Sequence, residues 1–204
     1  MTVGPDFAIH IGWMVWLLSW MAAAGWKTRT LKRPPTLAEA RHLAPTVLGF
    51  LLLFSTHAPL TGPSRQVFNN RPAEVEPIQL WRTPVPVGWL LLALTIAGFL
   101  ICWWARVHLG RLWSGAVTIK PDHRVVDTGP YRLVRHPIYT GLLLSALATA
   151  LEKATLLGVA GFALITLGFY LKARLEERFI RDELGSEAYD SYAARTPMLV
   201  PNRL

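Results

Sequence analysis

Cysteine is nearly absent from this sequence: Cys102 is the only cysteine among 204 residues. A single cysteine excludes an internal disulfide and any zinc site built from several cysteines. Cys102 lies inside an apolar run, where a lone thiol is typical of a small packed side chain.

Charge is also scarce, since Asp, Glu, Lys and Arg make up 17% of the chain, against about 25% in an average soluble domain. Hydrophobic residues make up 52%, and nine tryptophans and eight phenylalanines are among them. This composition argues against a soluble domain and against disorder. In a soluble protein, the net charge of +8 would suggest binding to nucleic acid. Whether it does so here depends on where the charges lie relative to the apolar runs.

Five apolar runs approach the length of about 20 residues that a membrane-spanning helix needs. They cover residues 7–26, 44–60, 87–105, 138–151 and 154–171. Only Glu152 and Lys153 separate the last two runs, which predicts a helical hairpin whose turn carries this pair. The sequence therefore predicts an all-α integral membrane protein with five transmembrane helices.

Basic residues are distributed unevenly around these runs. Segments 27–43, 106–137 and 172–204 hold 17 Lys and Arg, whereas the intervening side holds four. Because cytoplasmic loops carry the excess of Lys and Arg, the N-terminus is predicted outside and the C-terminus in the cytoplasm. The same order argues against a signal peptide, whose basic residues precede the apolar run rather than follow it. The basic excess is thus explained by orientation in a lipid bilayer, and no nucleic-acid partner or metal is predicted.

The tail differs from the runs, because acidic and basic residues alternate from 172 to 192 with apolar residues at helical spacing. We interpret it as a cytoplasmic extension of the fifth helix. Gly185 is a stop signal for this helix, and Pro197 and Pro201 exclude regular helix near the end of the sequence.

Two polar clusters are candidates for chemistry. Arg135 and His136 precede Pro137, which suits the first position of a helix, so both lie at a helix N-terminus where donors suit an anionic group. The alternative is that they anchor the helix at lipid headgroups. The second cluster, 174–178, follows the fifth helix, and the antiparallel hairpin would bring both clusters together. There Glu177 and Arg178 are interpreted as residues that pair on a solvated helix face.

The motif at 123–141 has a resemblance to a known family. Its residues, with Glu176-Glu177, Leu184-Gly185, Tyr189, Tyr192, Pro197 and Pro201 downstream, resemble the isoprenylcysteine carboxyl methyltransferase family and the broader group that includes phospholipid N-methyltransferases. The resemblance covers residues 103–204. It implies an S-adenosyl-L-methionine site at the cytoplasmic ends of the last helices, without the glycine-rich dinucleotide fingerprint, which the sequence lacks.

Matching positions imply the cofactor contacts residue by residue. They are His123, Arg124, Val125, Val126, Tyr131, His136, Pro137, Ile138, Tyr139 and Glu176. Glu176 would face the ammonium group of the cofactor. One departure from the family pattern is Ala116, which stands where the family has a polar contact.

The resemblance also implies an acceptor-binding arginine at the start of the helical extension. Arg174 is the first candidate because a guanidinium holds a carboxylate through two hydrogen bonds. Lys172 is the alternative by strict counting, and Arg135, which the antiparallel hairpin would bring near Arg174, is a further substrate-binding candidate. Arg174 and Glu176 are therefore the predicted catalytic pair, and two residues apart on a helix they point in different directions.

The predicted organisation is two N-terminal helices with their loops (1–86), followed by a methyltransferase core (87–204). The predicted function is transfer of a methyl group to a hydrophobic, lipid-like or prenylated acceptor, with a carboxylate as the first choice; a phospholipid, a quinone precursor and other acceptors stay open. Two alternatives stand beside it. The first is a membrane reductase, because sterol reductases carry a similar Arg-His-x-x-Tyr hairpin and use a nicotinamide cofactor, but they are longer. The second is a non-catalytic membrane scaffold, a role open to any small basic protein with several spans.

Overall fold

A computed structural model describes residues 4–23, 36–55, 78–113, 126–184 and 186–201, and within these ranges the chain is helical without strands. Six helices are α1 (Pro5–Ala22), α2 (Thr36–Leu53), α3 (Val85–Leu109), α4 (Pro137–Lys153), α5 (Leu156–Leu184) and α6 (Ser186–Arg195). Short 3₁₀ turns cover Gly110–Leu112 and Gly129–Arg132. Each of the five predicted runs overlaps one of the first five helices, although α2 begins eight residues before its run and α5 continues 13 residues beyond its run.

In the part of the chain that the structure describes, two helices are long and apolar enough to cross a membrane, Val85–Leu112 with a mean hydropathy of 2.3 and Leu156–Asp182 with 1.8. The outward faces of the helices are also apolar: on α1 and α3, large side chains such as Phe7, Leu18, Leu90 and Leu100 are more than half exposed. A continuous exposed apolar surface of this kind is typical of contact with lipid.

The turn between α4 and α5 differs from the prediction. Glu152 and Lys153 belong to the last turn of α4, and the chain reverses at Ala154, which has a positive φ of 54°. The helix continues through the charged pair because the Lys153 ammonium donates to the carbonyl of Ser55 at the end of α2 (2.7 Å). The reversal is held by residues 78–80, whose Leu80 N–H donates to the Ala154 carbonyl (2.7 Å).

Close backbone contact joins α2 to α5. A Cβ atom placed on Gly161 would lie 2.6 Å from the Gly49 carbonyl oxygen and 2.6 Å from the Leu53 nitrogen, so only glycine fits there. Gly168 makes the corresponding approach to the His42 carbonyl. Small residues that let helix backbones touch are the usual basis of packing between helices in membranes.

A second close pair is α3 with α4, where Gly98 and Gly141 face one another. Ser145 donates to the carbonyls of Thr95 (2.9 Å) and Gly141 (3.1 Å) across the same contact. The helix α1 packs on α3 and α4 through Trp13, whose indole N–H donates to the Thr149 hydroxyl (2.9 Å). These contacts hold the helices so that the start of α4 lies next to the second half of α5. The polar residues are at this end of the helix bundle.

The tail follows the predicted stop signals. The helix α5 ends at Leu184, next to Gly185, which lies outside the described residues. A separate helix, α6, then carries Tyr189 and Tyr192 inward, and residues 196–201 are not helical. The tail therefore turns back toward α4 instead of leaving the bundle.

Candidate functional site

The start of α4 is held by the end of the tail. The backbone N–H groups of Arg135 and His136 donate to the carbonyls of Pro197 (2.8 Å) and Met198 (3.1 Å). The Thr140 hydroxyl, one turn into the helix, donates to the Leu199 carbonyl (2.6 Å). Residues 197–199 thus fold back on the start of α4 and occupy these two backbone donors, so any contact of Arg135 or His136 with an anionic group would involve their side chains.

The side chains of Arg135 and His136 meet two carboxylates of α5. Glu177 Oε1 accepts from Arg135 Nε (2.8 Å) and lies 3.1 Å from His136 Nε2. The other ring nitrogen, His136 Nδ1, lies 3.5 Å from Glu176 Oε2. Glu176 Oε1 accepts from the Tyr139 hydroxyl (2.6 Å). Five side chains, from the segment that leads into α4, from its first turn and from α5, thus form one chain of hydrogen bonds and ion pairs, which we call the carboxylate cluster.

Glu177 corrects one expectation from the sequence. The sequence indicates a solvated residue that pairs within its own helix, but Glu177 is only 5% exposed. A buried carboxylate needs charged or hydrogen-bonding partners, and Arg135 and His136, about 40 positions earlier in the chain, supply them. The adjacent acids Glu176 and Glu177, beside a span, were the only sequence signal of this role.

Electrostatics favour a charged His136. Burial lowers the pKa of this imidazole, but hydrogen bonds and charge from Glu176 and Glu177 outweigh it, and the pKa lies above its ordinary value of 6.5. Both ring nitrogens face carboxylate oxygens, as an imidazolium with two N–H donors would. The cluster therefore pairs two carboxylates with the guanidinium of Arg135 and with an imidazole whose charged form they stabilise.

Aromatic rings continue the cluster toward α2. Tyr139 stacks between His136 (ring centroids 5.3 Å apart) and Phe169 (5.1 Å). The ammonium of Lys172 stands 5.3 Å from the Tyr139 ring centroid. His42 of α2, which received no role in the sequence analysis, lies within the electrostatic influence of Lys172 and Glu176.

The predicted acceptor residues lie on different sides of α5. Lys172 is beside Tyr139, whereas Arg174 is exposed and lines a cleft with Arg178 and α6. Arg135 also borders that cleft, but its guanidinium is already bonded to Glu177 and to the carbonyls of Ala193 and Thr196. As helical spacing predicts, Arg174 and Glu176 do not meet.

The remaining predicted cofactor contacts are placed as follows. His123, Arg124 and Val125 lie outside the described residues, and Val126 is half-buried. Tyr131 is buried, and its carbonyl accepts from the Tyr192 hydroxyl (2.6 Å). Pro137 begins α4 and is buried, whereas Ile138 is half-buried.

Tyr192 and Thr196 are further residues that the sequence did not assign to the site. Tyr192 ties α6 to the 3₁₀ turn at Gly129–Arg132, and Thr196 accepts from Arg135 through its carbonyl (2.6 Å). The signal for Tyr192 was its place in the downstream motif; a backbone carbonyl, as in Thr196, leaves no trace in sequence.

Comparison with known proteins points to the same family as the sequence motif. Residues 90–182 match the model of the isoprenylcysteine carboxyl methyltransferase family. A probable protein-S-isoprenylcysteine O-methyltransferase of Oryza sativa subsp. indica is 32% identical over 118 residues, which cover 56% of this chain and 61% of that protein. A methanethiol S-methyltransferase of Pseudomonas sp. (strain GM41(2012)) is 31% identical over 174 residues, or 83% of this chain and 62% of that protein.

The chain thus spans less than two thirds of the length of these relatives. The matched region contains most of α3, the start of α4 and the carboxylates of α5, which are the elements that build the carboxylate cluster. Over residues 90–182 the chain is therefore similar to the isoprenylcysteine carboxyl methyltransferase family, and the relatives point to the same family.

Proposed function

We propose that the chain is an integral membrane methyltransferase that uses S-adenosyl-L-methionine and acts on a hydrophobic acceptor. The observation that carries this proposal is the carboxylate cluster at the joined ends of α4 and α5, within a family of methyltransferases. A nicotinamide reductase and a scaffold remain the competing functions, and cofactor binding by the purified protein separates them.

The described residues fit the proposed cofactor. Its ammonium and its sulfonium are cations, which suit a carboxylate and an aromatic face. Glu176 keeps 19% of its side chain exposed and lies beside the Tyr139–Phe169 stack. We assign the ammonium to Glu176, the adenosine to segment 123–126 with Tyr131, and the closing wall to the first residues of α4, which are His136, Pro137, Ile138 and Tyr139.

When bound, S-adenosyl-L-methionine supplies an electrophilic methyl carbon. The protein residues then orient the acceptor and exclude water. A carboxylate acceptor is already ionised and needs no base, and a cation holds it in place. We favour Lys172 over Arg174 for that contact, because Lys172 stands over Tyr139 and Arg174 faces away. In this assignment Glu176 and Lys172 flank the reacting groups, and Arg135 positions Glu177.

A thiol acceptor is the second candidate. The similarity to the methanethiol S-methyltransferase covers 83% of the chain, whereas that to the O-methyltransferase covers 56%. A thiol is protonated at neutral pH and needs a base. His42 and Glu176 are the candidates for this base, since both lie near Lys172.

For orientation, we propose five spans with the start of α1 outside and the carboxylate cluster at the cytoplasmic face. Two contacts support this order, because each joins the ends of two helices that the proposed order places on the same side of the membrane. Arg106 near the end of α3 donates to the Ala23 carbonyl that ends α1, and Lys153 at the end of α4 donates to Ser55 after α2. Single cysteines at positions 65 and 186, in a Cys102→Ala background, should react with an impermeant label from opposite sides. Labelling of both from one side would exclude the five-span arrangement.

The cofactor proposal is tested by calorimetry with S-adenosylhomocysteine in detergent. His136→Ala should weaken binding by roughly 1–3 kcal/mol, the cost of a lost buried hydrogen bond. His10→Ala is the matched control, because the described polar contacts of His10 are with Asp6 of α1 and its ring otherwise meets Phe54, far from the carboxylate cluster. Equal affinity of both variants would leave His136 as a structural residue, and no binding by the unaltered protein would reject the cofactor.

Acceptor class is tested next with a labelled methyl donor and matched carboxylate, thiol and amine acceptors on one prenyl chain. Lys172→Gln should abolish most turnover of the carboxylate acceptor while leaving S-adenosylhomocysteine affinity within about threefold, since the lost charge faces the acceptor. Arg174→Gln is the control for loss of a charge from the same helix. If Arg174→Gln gives the larger loss, the acceptor contact belongs to Arg174.

A further inference from the structure

A cleft of about 400 Å³ lies between the last turns of α5 and α6, on the opposite side of α5 from Lys172 and Tyr139. Its charged lining consists of Arg135, Arg174, Glu177, Arg178, Arg181 and Asp190. Four guanidinium groups therefore share one cleft with two carboxylates.

The two carboxylates are already paired. Glu177 accepts from Arg135, and Asp190 Oδ1 lies 2.6 Å from Arg181 Nε. Among the residues that the structure describes, Arg174 and Arg178 have no ion pair or side-chain hydrogen bond. They are four residues apart, so their side chains are neighbours on the helix and repel each other. The cleft thus has an excess of two positive charges directed at one place.

The helix face that carries these arginines is apolar along the rest of α5. Leu156, Val159, Leu167 and Tyr170 are each at least 38% exposed, and they continue at helical spacing to Arg174 and Arg178. An exposed stripe of large apolar side chains is a surface for acyl chains. Two unpaired arginines at its end lie where the headgroup of the same lipid would be.

We propose that this cleft binds the phosphate of an anionic phospholipid, whose acyl chain lies along the exposed stripe of α5. The chemistry recognised is a phosphate oxyanion, which a guanidinium pair holds through charge-assisted hydrogen bonds. This inference does not depend on methyl transfer. Free phosphate offers the same oxyanion without an acyl chain, so the two sources can be separated.

The test titrates full-length protein in neutral detergent with dioctanoyl-phosphatidylglycerol, with dioctanoyl-phosphatidylcholine and with inorganic phosphate. The double variant Arg174→Gln/Arg178→Gln removes the unpaired charges. Its matched control, Arg41→Gln/Arg132→Gln, removes two exposed charges elsewhere. Binding of phosphatidylglycerol should weaken roughly tenfold or more in the cleft variant, since each arginine near a lipid surface contributes to headgroup affinity. The control should stay within about twofold.

A third variant, Arg174→Lys/Arg178→Lys, keeps both charges and should recover part of the affinity, because lysine lacks the planar fork. Inorganic phosphate should compete only weakly with the lipid if the acyl stripe contributes. If phosphate alone binds as tightly as phosphatidylglycerol, the source is a soluble phosphate and the lipid assignment falls. Equal loss of lipid affinity in the cleft and control variants would mean that the arginines act only as diffuse surface charge, and the proposal would be rejected.

Discussion

Glu177→Gln is the most direct test of how the ends of α4 and α5 are held together. The substitution keeps the size of the side chain and removes the charge that faces Arg135 Nε at 2.8 Å and His136 Nε2 at 3.1 Å. Breaking a buried ion pair costs about 3–5 kcal/mol. Because Arg135 keeps its bonds to the Ala193 and Thr196 carbonyls, and an amide oxygen can still accept one hydrogen bond, we expect a smaller loss than that range, about 2–3 kcal/mol.

The assay is thermal unfolding in detergent at pH 7, followed by circular dichroism. For a chain of this length, a loss of this size lowers the midpoint by roughly 5–10 °C. Glu187→Gln is the control, because Glu187 is exposed on α6 and its substitution should stay within about 0.5 kcal/mol. The double variant Arg135→Gln/Glu177→Gln should be less destabilised than the sum of the single variants. Equal midpoints for Glu177→Gln and Glu187→Gln would refute the assignment of Glu177 as a buried, paired carboxylate.

Three further predictions test other parts of the fold. Gly161→Ala should destabilise the chain by about 1–3 kcal/mol, since the new methyl group meets two backbone atoms of α2. The control Gly12→Ala should not destabilise it, because a Cβ there has its nearest neighbour at 3.7 Å. Equal unfolding midpoints for the two variants would contradict the close contact of Gly161 with α2. His136 has a pKa above 6.5 in the folded chain, so its contribution to stability is present below pH 6.5 and is lost as the pH rises through the folded pKa. Between pH 6 and 9 the unfolding midpoint of His136→Gln should therefore decline less than that of the unaltered protein. Parallel midpoint curves for the two proteins would argue against a charged imidazole. Tyr192→Phe removes the bond to the Tyr131 carbonyl and should cost about 1 kcal/mol in urea unfolding, whereas no change would mean that packing alone holds α6.

Local signals predicted much of the architecture. The five apolar runs overlap α1 to α5, Pro137 begins α4, and α5 ends beside Gly185. Each of these features depends on a few neighbouring residues, through hydropathy over about 20 positions or through the backbone limits of proline and glycine. The motif at 123–141 likewise identified the family, which the match over residues 90–182 supports.

The tertiary structure decided which polar residues meet. From the sequence, Glu177 and Arg178 are both interpreted as residues that pair on a solvated helix face. In the structure Glu177 is buried against Arg135, whereas Arg178 faces a cleft. The carbonyls of Pro197 and Met198 accept from the backbone N–H groups of Arg135 and His136, and Lys172 rather than Arg174 lies over Tyr139. These contacts join positions about 30–60 residues apart. They depend on the rotation of α5 against α4 and on the return of the tail, and no local pattern encodes either, because both follow from the packing of whole helices.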